Sequence, residues 1–434
     1  MPPTKKLFPI LLMSLLLIWR TWYGLSQNFW HEDIVQIYLL GLKYFSTGMW
    51  PYFGPDIVHT QQQIPGAMQS ILIAIPLQLI PLPESPFVLV NLLSMIGIGA
   101  LSYFYSQRFR QFSLPWLIVL IATLPAVLQI STNVYNPSYL LFPSCLFFVA
   151  WFESQAEFRS LGLSALSIGL LLGFSLCFTF QIHMSWPILL PFLAIVFCRS
   201  AKGVSRVKLL WGFGIGCLIG GSFLFPTILK YGLNTLWASG SKNSGFVLDQ
   251  ILDAPNTVIK LITLGSYEYF GFNLGSSMNE RISIIRANYP LTLSAMVMTA
   301  TFIVTIILLF YGIKKALKQG FKQHPDILLF ALASAWCAII FTLTPRPAAL
   351  RNIFLLLPVT LTAFLSCLSM LKADHLKKFV GMLSAAMLAS FIFHTIIAIK
   401  MIPNVSIYKD YAKVSSAIND KNYEILGTRR PGHY

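Results

Sequence analysis

Eleven apolar runs, most of them near the roughly 20 residues that carry a helix across a bilayer, recur at 7–25, 86–106, 114–131, 137–152, 162–181, 185–198, 209–229, 291–311, 326–344, 352–371 and 379–400. Backbone in hydrocarbon must satisfy its own amides and carbonyls, so such runs can only become helices that span and pack on one another. At 56% hydrophobic and 11% charged residues, a soluble core does not account for the pattern. The sequence predicts an all-α polytopic membrane protein of about 11 transmembrane helices. The run at 7–19, after Lys5 and Lys6, has no small-residue cleavage pattern behind it and reads as the first span.

A further run at 66–82 is shorter, carries Gln69 and Gln78, and is broken by Pro76 and Pro81. Its fate sets the side of every later loop. If it does not cross and the N-terminus is inside, the basic residues at 5–6, 108–110, 159, 199–208, 314–322 and 372–378 all fall on the cytoplasmic side. The short outer loops then hold only Lys43, Arg346 and Arg351, as the positive-inside rule requires. The reading adopted is therefore a non-spanning helix at 66–82, in the cytoplasmic membrane, with the C-terminus external.

Residues 1–400 are expected to form one membrane domain with external loops at 26–85 and 230–290, followed by a short external tail, 401–434. Within the second loop, the apolar spacing over 246–268 predicts one or two amphipathic surface helices. All six cysteines lie in apolar runs without metal-site spacing, so neither disulfides nor a metal cage is expected, and no cofactor. The net charge of +16 sits in short loops facing anionic headgroups, which removes the case for nucleic acid.

Chemistry concentrates on the outer side. Glu32 and Asp33 open an apolar-periodic segment that the turn residues Gly48, Pro51, Gly54 and Pro55 close, so they stand at a helix start. Acids there complement exposed amides, or form a polar site with Trp30, His31, Gln36 and His59. Arg346 and Arg351, at the mouth of a late span, suit a phosphate through their planar forks, or snorkel to headgroups. Asn136 and His183 belong to the polar turns 132–138 and 181–185, on the same face. Arg20, near the outer end of the first span, either snorkels or neutralises the acids.

The order of these features resembles the GT-C superfamily of polyprenyl-phosphate-sugar-dependent glycosyltransferases, in the bacterial branch similar to protein O-mannosyltransferases and the aminoarabinose transferase. The likeness runs from Arg20 to about Leu371. It comprises Arg20, the acidic pair, Gly48 with Pro51-Tyr52, the non-spanning helix, the basic residues after the second span, Asn136-Pro137-Ser138, Gln181 with His183, and Arg351 running into LLLP. It implies transfer of a sugar from a polyprenyl-phosphate carrier to a glycan, lipid or protein acceptor on the outer face, with inversion. Glu32 or Asp33 would be the base; Arg351, with Arg346, would hold donor phosphate; His59, Asn136, His183 and Gln36 would line the substrate site. The family pair usually reads Asp-Glu, and many relatives carry Asp where this chain has Asn136, which leaves the base open between two residues and removes support for a metal.

A lipid or solute transporter and a glycan polymerase or ligase share the many spans. Transporters, however, bury ionisable residues mid-span or show related halves, and the sequence has mid-span stretches nearly free of charge and no internal repeat.

Overall fold

The structure is a computed structural model that describes residues 3–26, 32–57, 62–199, 204–233, 252–269, 278–342 and 348–401. The chain is a multi-pass bundle of membrane helices. Its first helix, α1 (Pro3–Ser26), leads to a cap made of α2 (Glu32–Thr47), an antiparallel hairpin of β1 (Phe53–Ile57) with β2 (Gln62–Pro65), and α3 (Met68–Leu79). Then follow α4 (Ser85–Arg108), α5 (Leu114–Ala122), α6 (Pro125–Ser131), α7 (Leu141–Ser154), α8 (Ala165–Phe180), α9 (Leu190–Cys198), α10 (Arg206–Gly220) and α11 (Phe225–Tyr231). The remainder comprises α12 (Ala254–Leu264), α13 (Met278–Arg286), α14 (Tyr289–Gln319), α15 (Pro325–Thr342), α16 (Leu357–Ser369) and α17 (Ala373–Met401).

Every apolar run is helical, but not every one is a full-length span. Among the described residues five helices, α1, α4, α14, α15 and α17, are long and apolar enough to cross by themselves, and two bent pairs raise the number to seven. The expected count of eleven is not reached by this measure. The runs at 137–152, 185–198 and 352–371 each begin with a tight 3-10 segment, at Asn136–Leu140, Trp186–Leu189 and Phe354–Leu356, which shortens the α-helix that follows. The segment at 66–82 becomes the 12-residue α3, too short to span, as its prolines and glutamines imply.

The bends have local causes. Between α5 and α6 the axis turns by 63°, where Pro125 removes an amide from the ladder. There the Arg20 guanidinium, fully buried, donates to the Ala122 carbonyl at 2.9 Å and to Ser131 Oγ at 2.7 Å. Arg20 therefore does not snorkel; it ties the end of α5 to the end of α6. The second bend, 52°, separates α10 from the 222–231 segment at Gly220-Gly221.

α8 and α10 cross along a seam of glycines. A Cβ at Gly169 or Gly173 would meet the backbone carbonyls of Leu209 and Phe213, and one at Gly212, Gly216 or Gly220 those of Leu166, Leu170 and Phe174. Bare backbones in contact replace side-chain packing, the usual means of close helix association in lipid. At the other end of the bundle an Arg108–Asp326 ion pair of 2.7 Å joins α4 to α15.

Candidate active site

The cap is fixed over one end of the bundle by bonds that reach far along the chain. Gly41 of α2 lies against Ile73 and Ser70 of α3, an approach a side chain would block. Tyr38 on α2 donates to the Pro83 carbonyl at 3.0 Å, just ahead of α4. Gly66, at φ +96°, turns the chain from β2 toward α3 and faces the Gln181 side chain, which leaves no room for a Cβ. Ala67 N–H donates to the Phe223 carbonyl at 3.2 Å and Thr227 Oγ1 to that of Tyr52, so hairpin and α3 sit on the second bend.

From this cap Gln69, fully buried, donates through Nε2 to the carbonyls of Ile182 at 2.6 Å and Gln181 at 3.3 Å. Gln181 in turn donates to Gly220 O at 2.7 Å. The turn that bears His183 is thus held from both sides. The His183 amide closes onto Thr179 O at 2.9 Å, and the Ser185 N–H donates to His183 Nδ1 at 3.1 Å. A backbone amide can only donate, so Nδ1 is the acceptor and the ring proton of the neutral form is on Nε2. Burial first, and then the Arg351 guanidinium, lower the imidazole to about 4. At neutral pH His183 is an uncharged donor beside a cation.

Arg351 is exposed, on the 3-10 turn Leu350–Asn352. The chain behind it is anchored: Ser144 Oγ donates to Leu355 O at 2.7 Å, and Tyr105 bonds Pro358 O. The Asn136–Leu140 turn, which opens on half-buried Asn136, packs against both Phe354–Leu356 and α2.

No family model matches the chain, and no curated protein matches it in sequence. In three dimensions it is similar to ArnT from Cupriavidus metallidurans. Against the apo structure the TM-score is 0.53 at 9% identity, over 96% of this chain and 78% of that one. Against the ArnT structure bound to undecaprenyl phosphate it is 0.50 at 11% identity, over 95% and 74%. The chain shares its fold with these ArnT structures.

On this frame the Arg351 guanidinium lies close enough to act electrostatically on the His183 imidazole, and the Asn136–Leu140 turn packs against the Phe354–Leu356 turn that follows Arg351. Glu32 and Asp33 are the first two residues of α2, and Gln36 is half-buried one turn on. The side chains of Glu32 and Asp33, and the whole of His59, Arg346 and the tail 402–434, lie outside the described residues. Among the described residues no three of His, Cys, Asp and Glu converge.

Two features of the site were not singled out from the sequence. Lys260 of α12 donates from Nζ to the Ala348 carbonyl at 2.7 Å, bringing a second cation to the strand of chain before Arg351. The signal was there: Lys260 interrupts the buried stripe Thr257, Leu261, Leu264 on one face of an amphipathic helix. The other is a set of buried polar atoms in and beside the 132–138 turn, Asn133 Oδ1, Ser138 Oγ and Tyr139 OH, which have no hydrogen-bond partner among the described residues. Leaving such atoms unpaired inside a protein is costly.

Proposed function

We propose that the chain is a membrane glycosyltransferase that moves a sugar from a polyprenyl-phosphate carrier to an acceptor on the outer face of the cytoplasmic membrane, with inversion. The observation that carries the reading is the His183 turn, gripped by Gln69 from the cap that α2 opens with Glu32 and Asp33, its neutral ring in the electrostatic reach of Arg351. Its similarity in fold to ArnT, solved once with undecaprenyl phosphate bound, supports the donor class.

In this reading the acceptor O–H or N–H attacks the anomeric carbon from the face opposite the phosphate. Its proton passes to the carboxylate of Glu32 or Asp33. As the new bond forms, the bond from the anomeric carbon to phosphate oxygen breaks, and its electron pair leaves with polyprenyl phosphate. A phosphate departs as an anion, so it needs charge stabilisation rather than an acid. Arg351 supplies a forked cation, Lys260 a second positive charge close by, and His183 Nε2–H a neutral donor. Two carboxylates flanking the bond, as in glycoside hydrolysis, are not required. The positive-inside rule applied to the basic loops supports a cytoplasmic N-terminus with this end of the bundle outside.

The test is release of polyprenyl phosphate when purified protein meets a lipid-linked sugar pool and host membranes. Wild type should release it, and Arg351→Ala and at least one of Glu32→Gln and Asp33→Asn should reduce release by about 100-fold or more, the scale of lost transition-state charge stabilisation or general-base catalysis. No release from well-folded wild type, or full release from all three variants, overturns the reading. A periplasmic reporter fused at Glu84 should be active and one at Arg110 silent.

A further inference from the structure

At the opposite end of the bundle lies a second concavity, and we propose that it binds a phosphate-bearing anion through Arg110 and Arg159. It is an open cavity of about 590 Å³ at the ends of α4, α7 and α16, lined by Gln107, Arg108, Arg110, Gln111 and Arg159 among others. Its distance from the candidate active site follows from the helices. α4 starts next to Pro83, which Tyr38 of the cap holds, and ends at Arg108. α16 starts a few residues after Arg351 and ends at Ser369 in the cavity wall. A helix of 24 residues such as α4 is roughly 36 Å long at about 1.5 Å per residue, which exceeds the roughly 30 Å of hydrocarbon. The two sites therefore face opposite membrane surfaces.

Basic residues at a membrane edge commonly do no more than meet headgroups, but here the local charges are sorted. Arg108 is spent on structure: it pairs with Asp326 at 2.7 Å and donates to Glu157 O at 3.0 Å. The buried Glu153 carboxylate is spent too, accepting the amides of Ser160, Leu161 and Leu163 at 2.6, 2.7 and 3.0 Å. That loop carries Arg159, which uses one N–H on Leu163 O at 3.1 Å and keeps the rest of its fork. Arg110 is exposed and has no ion pair among the described residues. Among the described residues no carboxylate lines the cavity. Two guanidinium forks with neighbouring amide donors and no competing anion match a phosphate, whose oxygens accept paired N–H bonds. The volume is in the range of about 300–1,000 Å³ usual for small-ligand sites.

The phosphate comes from a lipid headgroup in the inner leaflet or from free phosphate in the water, and one experiment separates them. The purified full chain in neutral detergent is heated with phosphatidylglycerol, with phosphatidylcholine, or with inorganic phosphate at constant ionic strength. Wild type is expected to be stabilised by phosphatidylglycerol over phosphatidylcholine, or by inorganic phosphate, the two results naming the lipid and the aqueous source. The double variant Arg110→Gln/Arg159→Gln should weaken that response by tenfold or more. Arg110→Lys/Arg159→Lys should recover only part of it, since it keeps the charge but not the fork. Lys377→Gln/Lys378→Gln, exposed on α17, should leave it unchanged. If neither ligand stabilises wild type, if the arginine variant responds as wild type does, or if the lysine control loses as much, the site does not exist. Unfolding midpoints without ligand show that each variant is folded. A failure here leaves the transferase reading untouched, because the cavity lies a membrane's width from Arg351.

Discussion

Gln69 reaches across from the cap to the Ile182 carbonyl at 2.6 Å, and the next residue in the chain is His183. A helix too short to span thus sets the position of a ring in the candidate active site. Gln69→Leu keeps the volume but leaves two buried carbonyls without their donor, at a cost of about 1–3 kcal/mol. The unfolding midpoint should fall accordingly, and transfer should slow by about tenfold because the turn is no longer held in register. Unchanged transfer in a destabilised variant would mean that Gln69 serves the fold alone.

His183 gives a pH signature. Its folded-state value of about 4 lies below the ordinary value of 6.5, so the folded protein disfavours the charged ring. The stability that depends on the neutral form is complete above about pH 6.5, and it is lost progressively as pH falls toward 4. Wild type should therefore lose stability over that window faster than His183→Gln, compared by unfolding midpoints at each pH. Arg351→Ala should raise the ring's titration point, read by nuclear magnetic resonance, but not restore it fully, since burial is the larger cause. Parallel pH profiles for wild type and His183→Gln would remove the imidazole from this account.

Arg20 marks where reading by composition stops. The apolar runs, the failure of 66–82 to span, and the amphipathic stretch that holds α12 are all visible as periodicity and length, because lipid imposes a simple rule on each helix separately. Loop parity put Arg351, His183 and Asn136 on one face. What parity did not show is contact: that Gln69 grips the 181–182 turn, that Lys260 bonds Ala348, or that Arg20 turns inward. Those are pairings between residues about 90 to 110 positions apart, and they exist only once the helices bend. The bend at Thr123–Pro125 opens carbonyls inside the bundle, and a guanidinium is the donor long enough to meet them.

Arg20→Met therefore removes both bonds that hold that bend, those to Ala122 O and Ser131 Oγ. A methionine fills the space and spares the cost of burying a charge, yet the Ala122 carbonyl stays buried without its donor. The expected net is a loss of about 1–3 kcal/mol, seen as a lower unfolding midpoint. Arg20→Lys should fall between, because an ammonium lacks the fork that serves two acceptors together. A methionine variant as stable as wild type would show that α5 and α6 keep their angle without the arginine.

The glycine seam makes a prediction that no general preference for alanine in helices can mimic. Gly214 and Gly216 are two residues apart on α10, and a Cβ at Gly214 meets nothing within 4 Å while one at Gly216 lands on the Leu170 backbone. Alanine has the higher helix propensity by about 1 kcal/mol, so Gly214→Ala should be neutral or slightly stabilising. Gly216→Ala gains the same propensity but forces α8 and α10 apart. Close contact would be lost along a seam that runs up to Gly220, whose carbonyl Gln181 binds. The unfolding midpoint should therefore hold or rise for Gly214→Ala and fall for Gly216→Ala, and only Gly216→Ala should also slow transfer, since the displacement reaches the turn that carries His183. Equal effects at both positions would mean that α8 and α10 do not meet backbone to backbone.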